Sequence, residues 1–348
     1  MKFLVLQHPQ DVHLLAFDDG LTPLHLAPQQ GHEDVVHLLL ERDMDLTVQN
    51  NYGKTPLHLA SEDGHEDIAR LLLEHHADSA AQDQYGRTPL HLTSQNGHGE
   101  AARSLLEHHA DLAAQDKYGW TPLHLTSLYG REEVVRLLLE HGAESTAQNN
   151  AGLTPLHLAV RLGRAEVVDS LLAYGTDETA QRRVGSTLLH LASRWGHAEV
   201  ARSLFGHGVD ATVLNKHGWT TLHLASRWGH IEIARFFLDH GADATVENKY
   251  GWTPLRLALH GGHAEVARLF GERGADTTRI NEQAGTPWQV ELHQEDLGLA
   301  RMFEQGADAT ACQWPSILDF IAIFIARCYM FLARAILGNV SRSACLEE

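Results

Sequence analysis

Apolar and polar positions along the chain follow one short cycle. A hexapeptide of the form Thr-Pro-Leu-His-Leu-Ala opens at Thr22, Thr55 and Thr154, with close variants at Thr88, Thr121, Thr187, Thr220, Thr253 and Thr286. Nine starts therefore follow one another at 33-residue intervals, with no insertion. The two Leu and the Ala form a short apolar face at helical spacing. Thr suits an N-cap, and Pro suits the first helical position, whose N–H has no partner there. Nine residues after the Thr comes a glycine (Gly31, Gly64, Gly97, Gly130, Gly163, Gly196, Gly229, Gly262), where a helix needs a left-handed stop. A second amphipathic stretch follows, such as Glu133-Val134-Val135-Arg136-Leu137-Leu138-Leu139, and stops at another glycine, as at Gly142, Gly208, Gly241 and Gly274. In units two and three, His76 and His109 stand in that glycine's place, predicting left-handed residues strained by about 1 kcal/mol. The polar run closing each unit, ending in Tyr-Gly-Trp or similar, reads as a turn. The pattern predicts two helices and a turn, nine times over.

These motifs, TPLHLA, then GHxEVA, then LLLEHGAD at fixed offsets, resemble the ankyrin repeat. The resemblance spans residues 12–311. It implies an all-α solenoid of stacked helix pairs with β-turn fingers, in which the hexapeptide histidine hydrogen-bonds between neighbouring units. The near-identical units are similar to arrays in large fungal ankyrin-repeat proteins. Residues 1–11 align with a second helix and read as a truncated repeat serving as an N-terminal cap. The ninth unit is degenerate, with Trp288, Gln289 and Val290 in place of Leu-His-Leu, as suits an end repeat with one face in solvent. Residues 312–348 read as a C-terminal apolar helix and tail. Within them, residues 317–337 are mostly apolar, and Asp319, Arg327 and Arg334 fall on one narrow stripe. Two arginines would each cost about 2.5–3.5 kcal/mol near a bilayer centre, so a helix capping unit nine is expected rather than a membrane span. Membrane contact through this helix, making the protein a membrane-associated adaptor, is the alternative reading.

Composition changes the picture in three places. A length of 348 residues ordinarily suggests two or three domains, and here the repeat replaces that count. The 26 histidines would suggest metal, but twenty are copies of four repeat positions. Seven lie in the hexapeptide (His25, His58, His91, His124, His157, His190, His223) and six follow the first glycine (His32, His65, His98, His197, His230, His263). Seven end the second helix (His75, His76, His108, His109, His141, His207, His240). HExxH is absent, and the spacing from His32 to His37 is one residue too long for a single helix face. No metal site and no cofactor are expected. If all 26 imidazoles titrate near pH 6.5, mild acidification erases much of the formal charge of −18.

Catalytic patterns are equally scarce. No GxxxxGK[ST] or GxSxG occurs, and Glu133, Glu166 and Glu199 recur at second-helix starts, where they complement the helix dipole. The protein is expected not to be an enzyme. Cys312, Cys328 and Cys345 all lie in the last 37 residues, which favours a reduced, cytoplasmic setting over a disulfide framework. The apolar run at residues 3–6 is too short for a signal peptide.

With scaffold positions fixed, recognition must reside in what varies. The resemblance implies that finger tips and first-helix ends line a concave face. In units four to eight those slots hold Lys117, Arg161, Arg182, Arg183, Arg194, Lys216, Arg227 and Lys249 against one acid, Asp116. They also hold Tyr118, Trp120, Tyr129, Trp195, Trp219, Trp228, Tyr250 and Trp252. In units one to three they hold Asp18, Asp19, Glu62, Asp63 and Asp83, with Lys54 and Arg87. Eight bases against one acid leave −25 on the rest of a chain totalling −18, a charge that repels nucleic acid. The candidate partner-binding residues are Tyr118, Trp120, Arg161, Arg194, Trp195, Lys216, Trp219, Arg227, Trp228, Lys249, Tyr250 and Trp252. The expected function is a non-catalytic scaffold or adaptor whose concave face binds an acidic, partly apolar protein segment. Arg194 and Arg227 would clamp carboxylates, and Trp195, Trp219, Trp228 and Trp252 would give stacking surfaces. A competing explanation is recent duplication, which copies SRWGH in units six and seven and leaves edge aromatics packed between fingers.

Overall fold

Six of the eight described first helices start in a capping box completed by histidine rather than the usual Glu or Gln. The Thr55 N–H donates to His58 Nδ1 at 3.1 Å, and the Thr55 hydroxyl lies 2.8 Å from the same nitrogen. In return the His58 N–H reaches Thr55 Oγ1 at 3.4 Å. The same box forms at Thr22, Thr88, Thr121, Thr154 and Thr220. At Thr253 Arg256 replaces the histidine, and only the bond from the Arg256 N–H to the threonine remains.

A computed structural model describes residues 18–42, 44–174 and 188–274. The chain divides into two units, Met1–Ala284 and Gly285–Glu348, and the described residues all belong to the first. The expected cap at 1–11, Thr187, Arg182, Arg183, the ninth copy and the helix at 317–337 all lie outside the described residues. Within them are sixteen α-helices and no strand, so this part of the chain is all-α. The first helices are α1 (Pro23–Gln29), α3 (Pro56–Asp63), α5 (Pro89–Asn96), α7 (Pro122–Tyr129), α9 (Pro155–Arg161), α11 (Leu188–Trp195), α13 (Thr221–Trp228) and α15 (Pro254–His260). Their partners are α2 (Glu33–Leu40), α4 (Glu66–Glu74), α6 (Gly99–Glu107), α8 (Glu132–Glu140), α10 (Ala165–Ala173), α12 (Ala198–Gly206), α14 (Ile231–Asp239) and α16 (Ala264–Glu272).

First helices pack on first helices, and second on second, from unit to unit. The core is accordingly a set of columns at the repeat interval. Leu57, Leu90, Leu123 and Leu156 form one buried column, and Leu39, Leu72, Leu105, Leu138, Leu171, Leu204 and Phe237 another. Between units an Asx turn on Asn50, Asp83, Asp116, Asn149, Asn215 or Asn248 builds each of six described fingers. Asn50 Oδ1 accepts the N–H groups of Tyr52 and Lys54, both at 3.0 Å, and the Gly53 N–H returns to the Asn50 carbonyl. Successive fingers are joined through the backbone, as in Gln84 N–H to Tyr52 O and Lys117 N–H to Tyr85 O, both at 2.9 Å.

Six hexapeptide histidines tie their first helices to the next finger. Where the capping threonine is described, Nδ1 accepts from it and the proton sits on Nε2; in all six, Nε2 lies 2.8–3.0 Å from a carbonyl 29 residues on. His25, His58, His91, His124, His190 and His223 reach the carbonyls of Lys54, Arg87, Trp120, Leu153, Trp219 and Trp252. This is the bridging role that the resemblance implies.

The second-helix stops behave as their sequence predicts. Gly142, Gly208 and Gly241 have positive φ, and His76 and His109 are forced to φ 64° and 63°. Replacing His76 with Gly should raise stability by about 0.5–1 kcal/mol, because a left-handed residue with a Cβ is strained. Urea titration of the full chain checks this.

Candidate functional site

The candidate arginines sit at the ends of α9, α11 and α13, held there by a second histidine ladder. His197, His230 and His263 follow the first-helix glycines and place Nε2 at 2.8, 3.1 and 2.9 Å from the carbonyls of Arg161, Arg194 and Arg227. His65 and His98 do the same to Gln29 and Glu62, and Arg131 Nε takes this role toward Gln95. Each ring lies on the glycine of the preceding unit. A Cβ on Gly196 would meet His230 Cε1 at 2.6 Å, so that glycine is required for space as well as for its φ of 82°. The ladder therefore sets where each arginine leaves the backbone.

From those anchors the side chains converge on indoles. The guanidinium carbons of Arg161 and Arg194 lie 5.4 and 5.7 Å from the Trp195 ring centre. Arg227 lies 5.0 Å from the Trp219 ring and 5.7 Å from that of Trp228. Such stacking favours the cations by about 0.5–2 kcal/mol each, depending on desolvation. Burial, and then the like charge of Arg194, pull the Arg227 pKa below its ordinary value. The arrangement holds positive charge together on a half-buried surface, a geometry suited to carboxylate or phosphate oxygens.

The twelve candidates separate into three groups. Arg161, Arg194, Trp195, Arg227 and Trp228 form the helix-end cluster; Trp195 is half-buried and Trp228 is 37 % exposed. Lys216, Lys249 and Tyr250 are exposed on the fingers, and Tyr118 is half-buried there, its N–H bonded to Asp116. Tyr250, 60 % exposed, stacks on His217 at 6.4 Å. Trp120, Trp219 and Trp252 are only 6 %, 8 % and 5 % exposed. Here the expectation of open stacking surfaces at Trp219 and Trp252 is corrected. The two pack with Leu257 and Leu224, and Arg227 covers Trp219 while Arg256 and His260 cover Trp252. Trp120 packs edge-on against His124. Trp219 and Trp252 form the floor of the surface, and Trp195 and Trp228 are its accessible indoles.

Other candidate slots serve the scaffold. Asp116 accepts the N–H groups of Tyr118 and Trp120, and burial raises its pKa. Tyr129 is pushed up to about 12 by burial. In the acidic half, Lys54 pairs with Glu62 at 2.5 Å and Arg87 with Asp83 at 2.7 Å. Burial, then Glu62, raises the Asp63 pKa. One pairing escaped the sequence reading. The residue before each Thr and the residue eight later share a face, giving Lys54–Glu62, Trp219–Arg227 and Trp252–His260. The spacing of two helical turns was its signal.

Among the described residues, no group of three or more His, Cys, Asp or Glu could hold a metal ion. No described helix is long and apolar enough to cross a membrane.

A family model described as "Ankyrin repeats (3 copies)" matches residues 1–83, 76–149, 113–182, 144–215 and 189–281. The chain belongs to the ankyrin-repeat family. Ankyrin repeats are in general protein–protein interaction modules, and the fold is typically non-catalytic. A search of curated proteins returned no match. Among 589 matching solved chains is the ankyrin repeat domain of Bcl-3, described as a unique member of the IkappaB protein family. It is 34 % identical with a TM-score of 0.55, over 64 % of this chain and 100 % of that one. A fold shared so widely identifies no partner, so the partner must be argued from this array's own surface.

Proposed function

We propose that this ankyrin-repeat chain is a non-catalytic scaffold whose concave face, in units five to eight, binds an acidic, partly apolar segment of a partner protein. The observation that carries the reading is the convergence of Arg161, Arg194 and Arg227 on Trp195, Trp219 and Trp228. Holding half-buried guanidiniums close together opposes charge on Arg227, and an incoming carboxylate relieves that opposition. Arg and Trp are also the residue types that dominate binding hot spots. Trp195 and Trp228 supply the apolar contact, and the exposed Lys216 and Lys249 extend the positive potential along the fingers.

The test is affinity capture with the full chain, comparing it with a variant carrying Ala at Arg194, Trp195, Arg227 and Trp228. With the helical circular dichroism spectrum retained, the variant is expected to lose partner capture by at least tenfold. Unchanged capture refutes the reading.

A further inference from the structure

The repeat geometry also specifies the conformation of the bound segment, an inference that rests on the proposed function above. Arg161, Arg194 and Arg227 occupy one register position in three consecutive first helices, and Trp195 and Trp228 occupy the next position in two of them. Those helices pack side by side. Packed helices stand about 8–10 Å apart, so two steps along the row span about 16–20 Å.

Few peptide conformations match that interval. A polyproline II strand has three residues per turn and rises about 3.1 Å per residue. Every third side chain returns to one face after about 9.3 Å, and two steps take about 18.6 Å. A β-strand repeats its face after two residues, about 6.7 Å, or four, about 13 Å, and misses in both cases. An α-helix returns after seven residues, about 10.5 Å, and overshoots the row over two steps. The accessible indoles fit the same answer, because polyproline II segments dock on aromatic-lined surfaces with proline rings against the aromatics.

We propose that the helix-end row reads a polyproline II segment with a carboxylate at every third position, Asp/Glu-x-x-Asp/Glu-x-x-Asp/Glu, and proline between. Arg161, Arg194 and Arg227 each take one carboxylate, and Trp195 and Trp228 take intervening prolines. A segment already in this conformation loses little chain entropy on binding, so a row of three sites suffices for specificity.

The experiment uses the full chain and fluorescence anisotropy with two labelled peptides of equal composition. One is six Glu-Pro-Pro triplets, and the other permutes those residues so that no two glutamates stand three apart. The periodic peptide is expected to bind at least about tenfold more tightly. A variant with Arg161→Gln, Arg194→Gln and Arg227→Gln, its helical spectrum intact, is expected to lose that preference. Equal affinity for the two peptides, no binding of either, or tighter binding of a labelled oligothymidylate overturns the inference. The proposed function survives such a result if the four-alanine variant still loses partner capture. If capture is also unchanged, both fall.

Discussion

Lowering the pH from 7 to 5 is expected to destabilise the array by several kcal/mol, bringing its urea midpoint down steeply. The cause is the hexapeptide ladder. His58, His91, His124 and His223 are each lowered to about 4, chiefly by burial, and His25 and His190 are lowered for the same reason. The geometry explains why protonation is resisted. Nδ1 already accepts the threonine N–H, so a proton placed there breaks the capping box and leaves a charge in the core. An unfolded histidine titrates near 6.5. With the folded value below the unfolded one, the ladder's contribution is complete above pH 6.5. It drains away as the pH falls toward 4.

At pH 5 the loss is about 2 kcal/mol for each of the four strongly lowered residues, or roughly 8 kcal/mol together. That rivals the whole stability of an ordinary domain, about 5–15 kcal/mol. Urea titrations at fixed ionic strength across this range measure the effect, and their slope against pH counts the protons taken up on unfolding. A midpoint unchanged between pH 7 and 5 refutes the account. The ladder also corrects the expectation that all 26 histidines titrate together near 6.5. The four lowered to about 4 stay neutral in the folded chain on mild acidification, and burial opposes protonation of His25 and His190 as well, so acidification neutralises less of the charge than the count suggests and strains the interior instead.

How much of this could be read in the sequence depends on what the 33-residue period constrains. The helices, their stops and the left-handed His76 and His109 were legible, because each depends on residues within one unit. The bridging histidine was legible only through the family resemblance, since its partner carbonyl lies 29 residues away and carries no side-chain signal. The second ladder was missed for the same reason: His197 and His230 read only as copies of one repeat position, yet each donates to a carbonyl 36 residues back. At the site, the sequence placed the arginines and tryptophans together but not their depth. Trp219 and Trp228 are both Trp beside variable slots, and only the cross-unit packing of Trp219 with Trp252 and Leu257 separates floor from rim.

His91→Leu is expected to cost about 4 kcal/mol and to broaden or split the unfolding transition. Leucine restores volume, so the loss is polar. The Thr88 N–H and the Trp120 carbonyl, both bonded to the ring at 3.1 and 3.0 Å, lose their partner in a fully buried position, at about 1–3 kcal/mol each. The Trp120 bond joins unit three to unit four, and a stack of repeats holds its cooperativity through such nearest-neighbour links. Weakening one link lets the two sides unfold at different urea concentrations. Ser94→Ala is the control on the same helix. Ser94 is equally buried, but its hydroxyl has no hydrogen-bond partner, so its removal should leave stability unchanged or raise it by up to about 1 kcal/mol. Equal losses from the two substitutions would mean that burial alone sets the cost. A loss confined to His91→Leu assigns it to the bonds that couple one repeat to the next.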